Sequence, residues 1–439
     1  MIETGSTSYD PAALRRLREE VRPGWKGAPL ERVMSVAQLA TSGIEALDGT
    51  LPLPLLLLSA SALVHNVDRM ARFAADRGVL LAPHAKTTMS PELIAAQIDA
   101  GAWAMTAATP SQIRTLRAFG VRRIVCANEL VETAAIAWLA AELDRDPSFE
   151  LICLVDSVAG VALLDRELRQ ARSCRDLGAV GLTATRRLPV LLEVGTAGGR
   201  AGARTLETAR AVADAVGASE HLELIGVEFF EGLRIDAADM AATIADVDAQ
   251  LEEVHAITVA LTTEGRLTDP LVSAGGSALF DRVLARFGTD RFRVLLRSGC
   301  YISQDGGFYA EVSPLAGRGE EPEPLENAIE VWGAVLSRPE AEVAVVGAGR
   351  RDMPYDIRLP TPRWWRSRDG RHQVVLSSAS VLRLNDQHAT VRLEPDAPVA
   401  VGDLVGFTVS HPCGAFDRWA VIPVVDDARR IVAAVHTRF

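Results

Sequence analysis

The chain has 439 residues, 48% of them hydrophobic, and a formal net charge of −11. That apolar content can bury at least one large core, and the length suggests two domains or one large barrel with an appendage. The acidic balance, without any basic cluster, argues against a nucleic-acid or anionic-membrane partner.

The start, Met1-Ile2-Glu3-Thr4-Gly5, has no basic stretch ahead of an apolar core, so no signal peptide is expected. A charged helix around 11–21 is the one element read in residues 1–54, an N-terminal extension. The longest apolar run, 51–64, covers about 14 residues, contains two prolines and is followed by His65 and Asn66. It is too short for a membrane-spanning helix and reads as a buried strand entering a helix at 61–77. Beyond it, short apolar runs alternate with amphipathic stretches, the pattern of βα units around a parallel sheet. Strands are expected near 79–84, 102–108, 123–128, 150–156, 188–194, 222–230, 269–274 and 293–298. Helices fall between them at 91–101, 111–119, 132–144, 158–172, 204–217, 236–263 and 278–287. Eight such units point to a TIM-type (β/α)8 barrel over 55–310, whose functional residues gather at the C-terminal strand ends; a doubly wound sheet is the alternative. Past the Gly- and Pro-marked stretch 311–324, helical periodicity disappears. Residues 311–439 read as a smaller all-β domain with strands at 328–337, 342–347, 373–383, 389–394, 403–410, 418–425 and 430–437.

The five cysteines, Cys126, Cys153, Cys174, Cys300 and Cys413, are odd in number and lack C-x-x-C spacing. Reduced thiols in a cytoplasmic protein are the expectation.

Lys86 ends the run Val79-Leu80-Leu81-Ala82-Pro83-His84-Ala85-Lys86-Thr87-Thr88, where an apolar strand passes into polar residues. A lysine at the mouth of a buried strand loses hydration, which exposes an amine able to condense with an aldehyde. Alone, it could equally be a lysine whose stem packs on the strand end while its head reaches water. Ser273-Ala274-Gly275-Gly276-Ser277 follows the seventh strand, where backbone N–H groups at a helix N-terminus could cradle a phosphate. Arg297-Ser298-Gly299-Cys300-Tyr301 follows the eighth and adds amide, hydroxyl and phenol donors at the adjacent mouth. Glu193-Val194-Gly195-Thr196-Ala197-Gly198-Gly199-Arg200 ends the fifth, and Arg200 could reach a cofactor ring or remain a solvated loop cation. In the β-domain, His411-Pro412-Cys413 would place an imidazole and a thiolate on one strand face, a donor pair suited to zinc or simply a pair of core residues. His388 could be a further ligand, an acid/base, or a residue of a surface turn.

Together, Pro83-His84-Ala85-Lys86-Thr87, the Ser273–Ser277 loop, Arg297–Tyr301 and His411–Cys413 resemble the D-serine dehydratase and D-threonine aldolase family of fold-type III pyridoxal-phosphate (PLP) enzymes, with an alanine racemase-like barrel. The resemblance runs over roughly 55–439, with four motifs in the same order. It implies that Lys86 carries PLP and that His411 and Cys413 bind a metal; the residues themselves add the expectation that Lys86 acts as catalytic base, that His84, Arg200, Gly275, Gly276, Ser277, Gly299 and Tyr301 contact the cofactor, and that the thiolate selects Zn(2+). Ala82 and Thr88 depart from the R-P-H-x-K-T-H form of D-serine dehydratases, and A-P-H-x-K-T-T with R-S-G-C-Y is similar to bacterial amino-acid deaminases. The expectation is a zinc-assisted dehydratase acting on a small 3-hydroxy D-amino acid such as D-serine or D-threonine, working as a homodimer. D-threonine aldolase-type cleavage is the alternative. A racemase has no use for the His-x-Cys pair, and a non-catalytic PLP carrier would leave the β-domain unexplained.

Overall fold

The stretch 151–155 is buried along its whole length, as in a parallel strand covered on both faces. In the computed structural model, which describes residues 5–17, 21–28, 33–176, 186–288, 292–319 and 322–439, it is one of eight parallel strands. These are β1 (Leu80–Leu81), β2 (Met105–Ala107), β3 (Arg123–Glu129), β4 (Glu150–Val155), β5 (Leu188–Glu193), β6 (Leu222–Glu228), β7 (Leu271–Ala274) and β8 (Arg293–Leu296). They pair in the order β1-β8-β7-β6-β5-β4-β3-β2. A parallel bridge between His84 and Thr106, with Thr106 N donating to Pro83 O at 2.9 Å, joins the two ends of the sheet and closes the barrel. One core cluster takes Val125, Ile152, Leu154, Leu191, Ile225, Leu271 and Leu295 from successive strands, with Trp103 ahead of β2.

All eight strands expected from the apolar runs are present, with a helix after each. Sequence signals set several helix starts. Thr109 caps Pro110–Ala118, its hydroxyl accepting from Gln112 N with Pro110 at the first position; Thr205 caps Leu206–Gly217 and Asp239 caps Met240–Thr263.

The chain divides into two compact units, one of residues 1–10, 71–86 and 97–299, which holds the barrel, and one of 11–70, 87–96 and 300–439. The second unit is built on a mixed sheet. Ile329–Glu340 runs antiparallel to Leu55–Ser59 and to Leu404–Thr408, and Val421–Val425 lies parallel to Leu55–Ser59. Leu55–Ser59 was expected at the start of the barrel. It belongs to this sheet instead, because its leucines are covered by the N-terminal segment: Val21, Met34, Leu39, Leu47 and Leu51 pack in one cluster with Leu55, Leu57, Trp332, Leu404 and Val421. Described residues between 21 and 53 are therefore part of that core. The helix read at 11–21 is present as Pro11–Leu17, and 18–20 lie outside the described residues. The expected strand 373–383 resolves into Gln373–Val375 and Ser380–Leu384, and Thr361–Arg366 is an additional strand. Among the described residues no helix is long and apolar enough to cross a membrane.

Candidate active site

Lys86 sits in a single 3-10 turn, Ala85–Thr87, just past the C-terminal end of β1. Its side chain is exposed, so the dehydrated lysine expected from the apolar run is corrected: the strand ends before the lysine and leaves its amine in water. That amine borders a cavity of about 160 Å3 lined by His84, Asn128, Arg200, Glu228, Phe230, Gly276 and Arg297, at the strand ends where barrel sites are built. A larger cavity of about 730 Å3 opens at the opposite strand ends, around Glu150, Pro189, Glu223 and Arg293, and holds no lysine, histidine or cysteine.

The chain contains two lysines, Lys26 and Lys86. Lys26 is engaged: its Nζ lies 2.6 Å from Asp352 Oδ1, donates to Arg351 O and stands 4.2 Å over the Trp419 ring. Lys86 is thus the lysine at this cavity, and the count of two lysines is a signal that the motif reading left unused.

The charges around Lys86 are arranged by burial. His84 is held well below the usual imidazole range, first by burial and then by the positive charges of Lys86, Arg297 and Arg200, so it is neutral at physiological pH. Arg297, nearly fully buried after β8, pairs with Glu228 at the end of β6 and donates to Ser273 Oγ at 2.5 Å. Glu228 Oε2 is buried without a hydrogen-bond partner. Burial, the negative charge of Glu228 and a bond to Glu129 push Glu193 up to about 9, so it is protonated at neutral pH. Arg200 lies exposed in the glycine-rich loop, its guanidinium 5.4 Å from the Phe230 ring centre.

The Gly275–Gly276 loop holds its own anion. Glu231, buried and with its carboxyl pushed up by desolvation, accepts from Gly275 N at 3.1 Å and from Gly276 N at 2.5 Å. Gly275 needs to be glycine: its φ is +88° and a Cβ would stand 2.6 Å from Leu296 Cδ2. The two amides expected to cradle a phosphate are therefore already accepted by a carboxylate. Ser277 lies in the turn that precedes helix Phe280–Phe287, rather than at the helix N-terminus itself. Gly299 is buried beside Ser298, whose hydroxyl donates to the Gly275 and Gly276 carbonyls.

In the second unit, Tyr301 is buried in the turn Cys300–Ile302. His411 and Cys413 were expected on a strand. The strand ends at Thr408, and Pro412 has helical backbone angles (φ −59°, ψ −36°) as the cap of the short helix Cys413–Phe416, so strand alternation does not place these two side chains. His411 Nδ1 lies 2.5 Å from Asp356 Oδ2, which leaves Nε2 to face a ligand, the usual arrangement of a metal-binding histidine oriented by a carboxylate. Cys413 Sγ lies 3.3 Å from Thr87 Oγ1 and 3.4 Å from Cys300 Sγ. Nitrogen and sulfur donors of this kind suit zinc. Among the described residues no three metal-ligating side chains converge. His388 is an exposed residue of the turn between Ser380–Leu384 and Ala389–Arg392. Glu228, Glu231 and Asp356 escaped the motif reading of these sites, and Cys300, named within its motif, was given no role; charged residues at strand ends were the available signal for the first two.

Comparison with known proteins places these observations in a family context. Residues 58–294, more than half of the chain, match the alanine racemase N-terminal domain family, and residues 328–425 match the serine dehydratase domain. The chain is similar to 3-hydroxy-D-aspartate aldolase of Paracoccus denitrificans, 26% identical over 351 residues that cover 78% of this chain and 84% of that protein. Its fold resembles D-threonine aldolase from Filomicrobium marinum, with a TM-score of 0.72, 22% identity and coverage of 88% and 95%. It also resembles D-threo-3-hydroxyaspartate dehydratase from Delftia sp., with a TM-score of 0.66, 20% identity and coverage of 89% and 98%; a variant of a dehydratase of that name has been solved in a metal-free form.

Proposed function

The chain belongs to the alanine racemase-like, fold-type III family of PLP enzymes, and from that premise we propose that it is a metal-assisted dehydratase of 3-hydroxy D-amino acids such as D-serine or D-threonine, releasing a 2-oxo acid and ammonia. The observation that supports this most is Lys86: of two lysines, it is the one whose amine borders a cavity at the barrel's C-terminal strand ends. PLP, when bound, supplies a ring that accepts the electron pair left by the substrate's α-proton. Lys86 would hold the cofactor's aldehyde and, displaced by the substrate amine, take the α-proton on Nζ.

The remaining roles follow from charge and hydrogen bonding. Neutral His84 offers a polar contact without adding a cation beside Lys86. Arg200 would meet the cofactor ring from the glycine-rich loop. Ser277 and Gly299 would meet the phosphate, while Glu231, which accepts from the Gly275 and Gly276 amides, braces the glycine turn. Arg297 fixes Glu228, whose unpartnered Oε2 is an acceptor for a donor on the ligand. His411 Nε2 and Cys413 Sγ would hold zinc, a Lewis acid that eases loss of the β-hydroxyl as a poor leaving group. Asp356 would keep His411 in the tautomer that exposes Nε2. A homodimer in the cytoplasm is the assembly and setting proposed with this activity.

Retro-aldol cleavage is the second reading, favoured by the aldolase names of the Paracoccus and Filomicrobium relatives. Product analysis separates the two. The zinc-loaded protein is given D- and L-serine, D- and L-threonine and 3-hydroxyaspartate. Release of a 2-oxo acid with equimolar ammonia from a D-substrate is expected; glycine with an aldehyde would replace the dehydratase reading by the aldolase one.

A further inference from the structure

The second unit brings two thiols together. Cys300, buried in the turn Cys300–Ile302, and Cys413, half-buried at the start of Cys413–Phe416, have their sulfur atoms 3.4 Å apart although 113 residues separate them in sequence. The Thr87 hydroxyl lies 3.3 Å from Cys413 Sγ and 4.0 Å from Cys300 Sγ, and Tyr309 hydrogen-bonds Cys300, so both sulfurs sit in one polar cluster. Cys126 and Cys153 provide the contrast. Both are fully buried on β3 and β4, and burial pushes Cys126 up to about 12 and Cys153 well above the usual thiol range, which makes them inert.

We infer that Cys300 and Cys413 are a peroxide-sensitive pair, Cys413 the attacking thiol and Cys300 the resolving one, whose disulfide is an oxidised state of the protein. In the first step the Cys413 sulfur attacks the O–O bond of a peroxide, giving a sulfenic acid and releasing an alcohol or water. In the second, the Cys300 sulfur displaces hydroxide from the Cys413 sulfur; the hydroxide takes the Cys300 proton and leaves as water. The two sulfurs together lose two electrons, which reduce the peroxide. Their separation has only to shorten to the roughly 2.05 Å of a disulfide. A partly accessible attacking thiol beside a resolving thiol is the arrangement expected of a redox-sensitive site. Resting on the function proposed above, the consequence is that the disulfide withdraws Cys413 from zinc, so oxidation and metal binding at Cys413 exclude one another.

Peptide mapping tests this on the full-length protein. The protein is treated with a stoichiometric amount of hydrogen peroxide, alkylated, digested and analysed by mass spectrometry. A Cys300–Cys413 cross-linked peptide that dithiothreitol reverses is expected, with Cys126 and Cys153 as they were before treatment. Cys300→Ser should form no such peptide and should carry Cys413 on to sulfinic acid. The inference is overturned if both thiols of the unsubstituted protein remain open to alkylation after peroxide, or if Cys413 over-oxidises equally with and without Cys300. Turnover measured on the same samples tells the two ideas apart. Reversible loss of 2-oxo-acid release in step with the cross-link supports both. A cross-link that leaves turnover unchanged upholds the thiol pair and removes Cys413 from the metal site.

Discussion

Arg297→Met removes one side of the most deeply buried ion pair at the candidate site. The side chains of Arg297 and Glu228 retain only 6% and 2% of their exposure, and Glu228 Oε2 already lacks a partner, so losing the guanidinium leaves a buried carboxylate without its ion-pair partner. Breaking such a pair from one side costs about 3–5 kcal/mol. Desolvation already raises the Glu228 carboxyl and Arg297 opposes that rise, so the substitution should push it further up. A carboxyl whose folded-state pKa is raised binds its proton more tightly in the native protein, so its contribution is favourable at low pH and is lost as pH increases. The penalty should therefore be larger at pH 8 than at pH 5. Replacing both partners, Arg297→Met with Glu228→Met, removes the stranded charge and should bring the cost down to about 1 kcal/mol. Urea unfolding followed by tryptophan fluorescence at the two pH values measures each variant. The reasoning is refuted if Arg297→Met costs under about 1 kcal/mol at pH 8, or if the double variant is as unstable as the sum of the single ones.

Three further expectations follow. His411→Ala or Cys413→Ala should reduce ammonia release on the order of a thousandfold, because losing a Lewis acid at a poor leaving group costs several kcal/mol; α-proton exchange in deuterated solvent should persist, and its loss together with turnover would assign the metal to substrate binding. Asp356→Asn should weaken zinc affinity about 10- to 100-fold, read by competition with a chelator, and unchanged affinity would remove Asp356 from its orienting role. Burial raises the Asp305 carboxyl to about 6, so its favourable contribution is complete below the unfolded value near 3.8 and is lost as pH rises through 6; Asp305→Asn keeps the acceptor for Gly307, Tyr309 and Ala310 and should gain on the order of 2–3 kcal/mol relative to the parent between pH 4 and 7, a gain that a flat difference in unfolding midpoints would contradict.

The barrel was legible because parallel strands buried on both faces leave continuous apolar runs, and their helices carry readable caps such as Thr109 and Thr205. Lys86 was legible through its motif and its place at a strand end. What escaped the reading depends on contacts far apart in sequence. Four consecutive leucines at 55–58 look the same in either sheet, and only pairing with 329–332 and cover from Val21, Met34, Leu39, Leu47 and Leu51 decide between them. Thr361–Arg366 contains Pro362, which weakens any strand reading; the structure places it beside a register shift opposite Phe407, where a missing N–H is tolerated. Spacing alone suggested a shared strand face for His411 and Cys413, but Pro412 takes helical angles and breaks the alternation. The capture of the Gly275 and Gly276 amides by Glu231 likewise arises from the close approach of two loops, which no local pattern encodes.

Because the chain has only two lysines, one measurement reaches the central claim directly. The protein loaded with PLP is reduced with borohydride, digested and mapped by mass spectrometry. The account predicts a single covalent label on Lys86, and loss of both label and turnover in Lys86→Ala. A label on Lys26, or full turnover in Lys86→Ala, would contradict it.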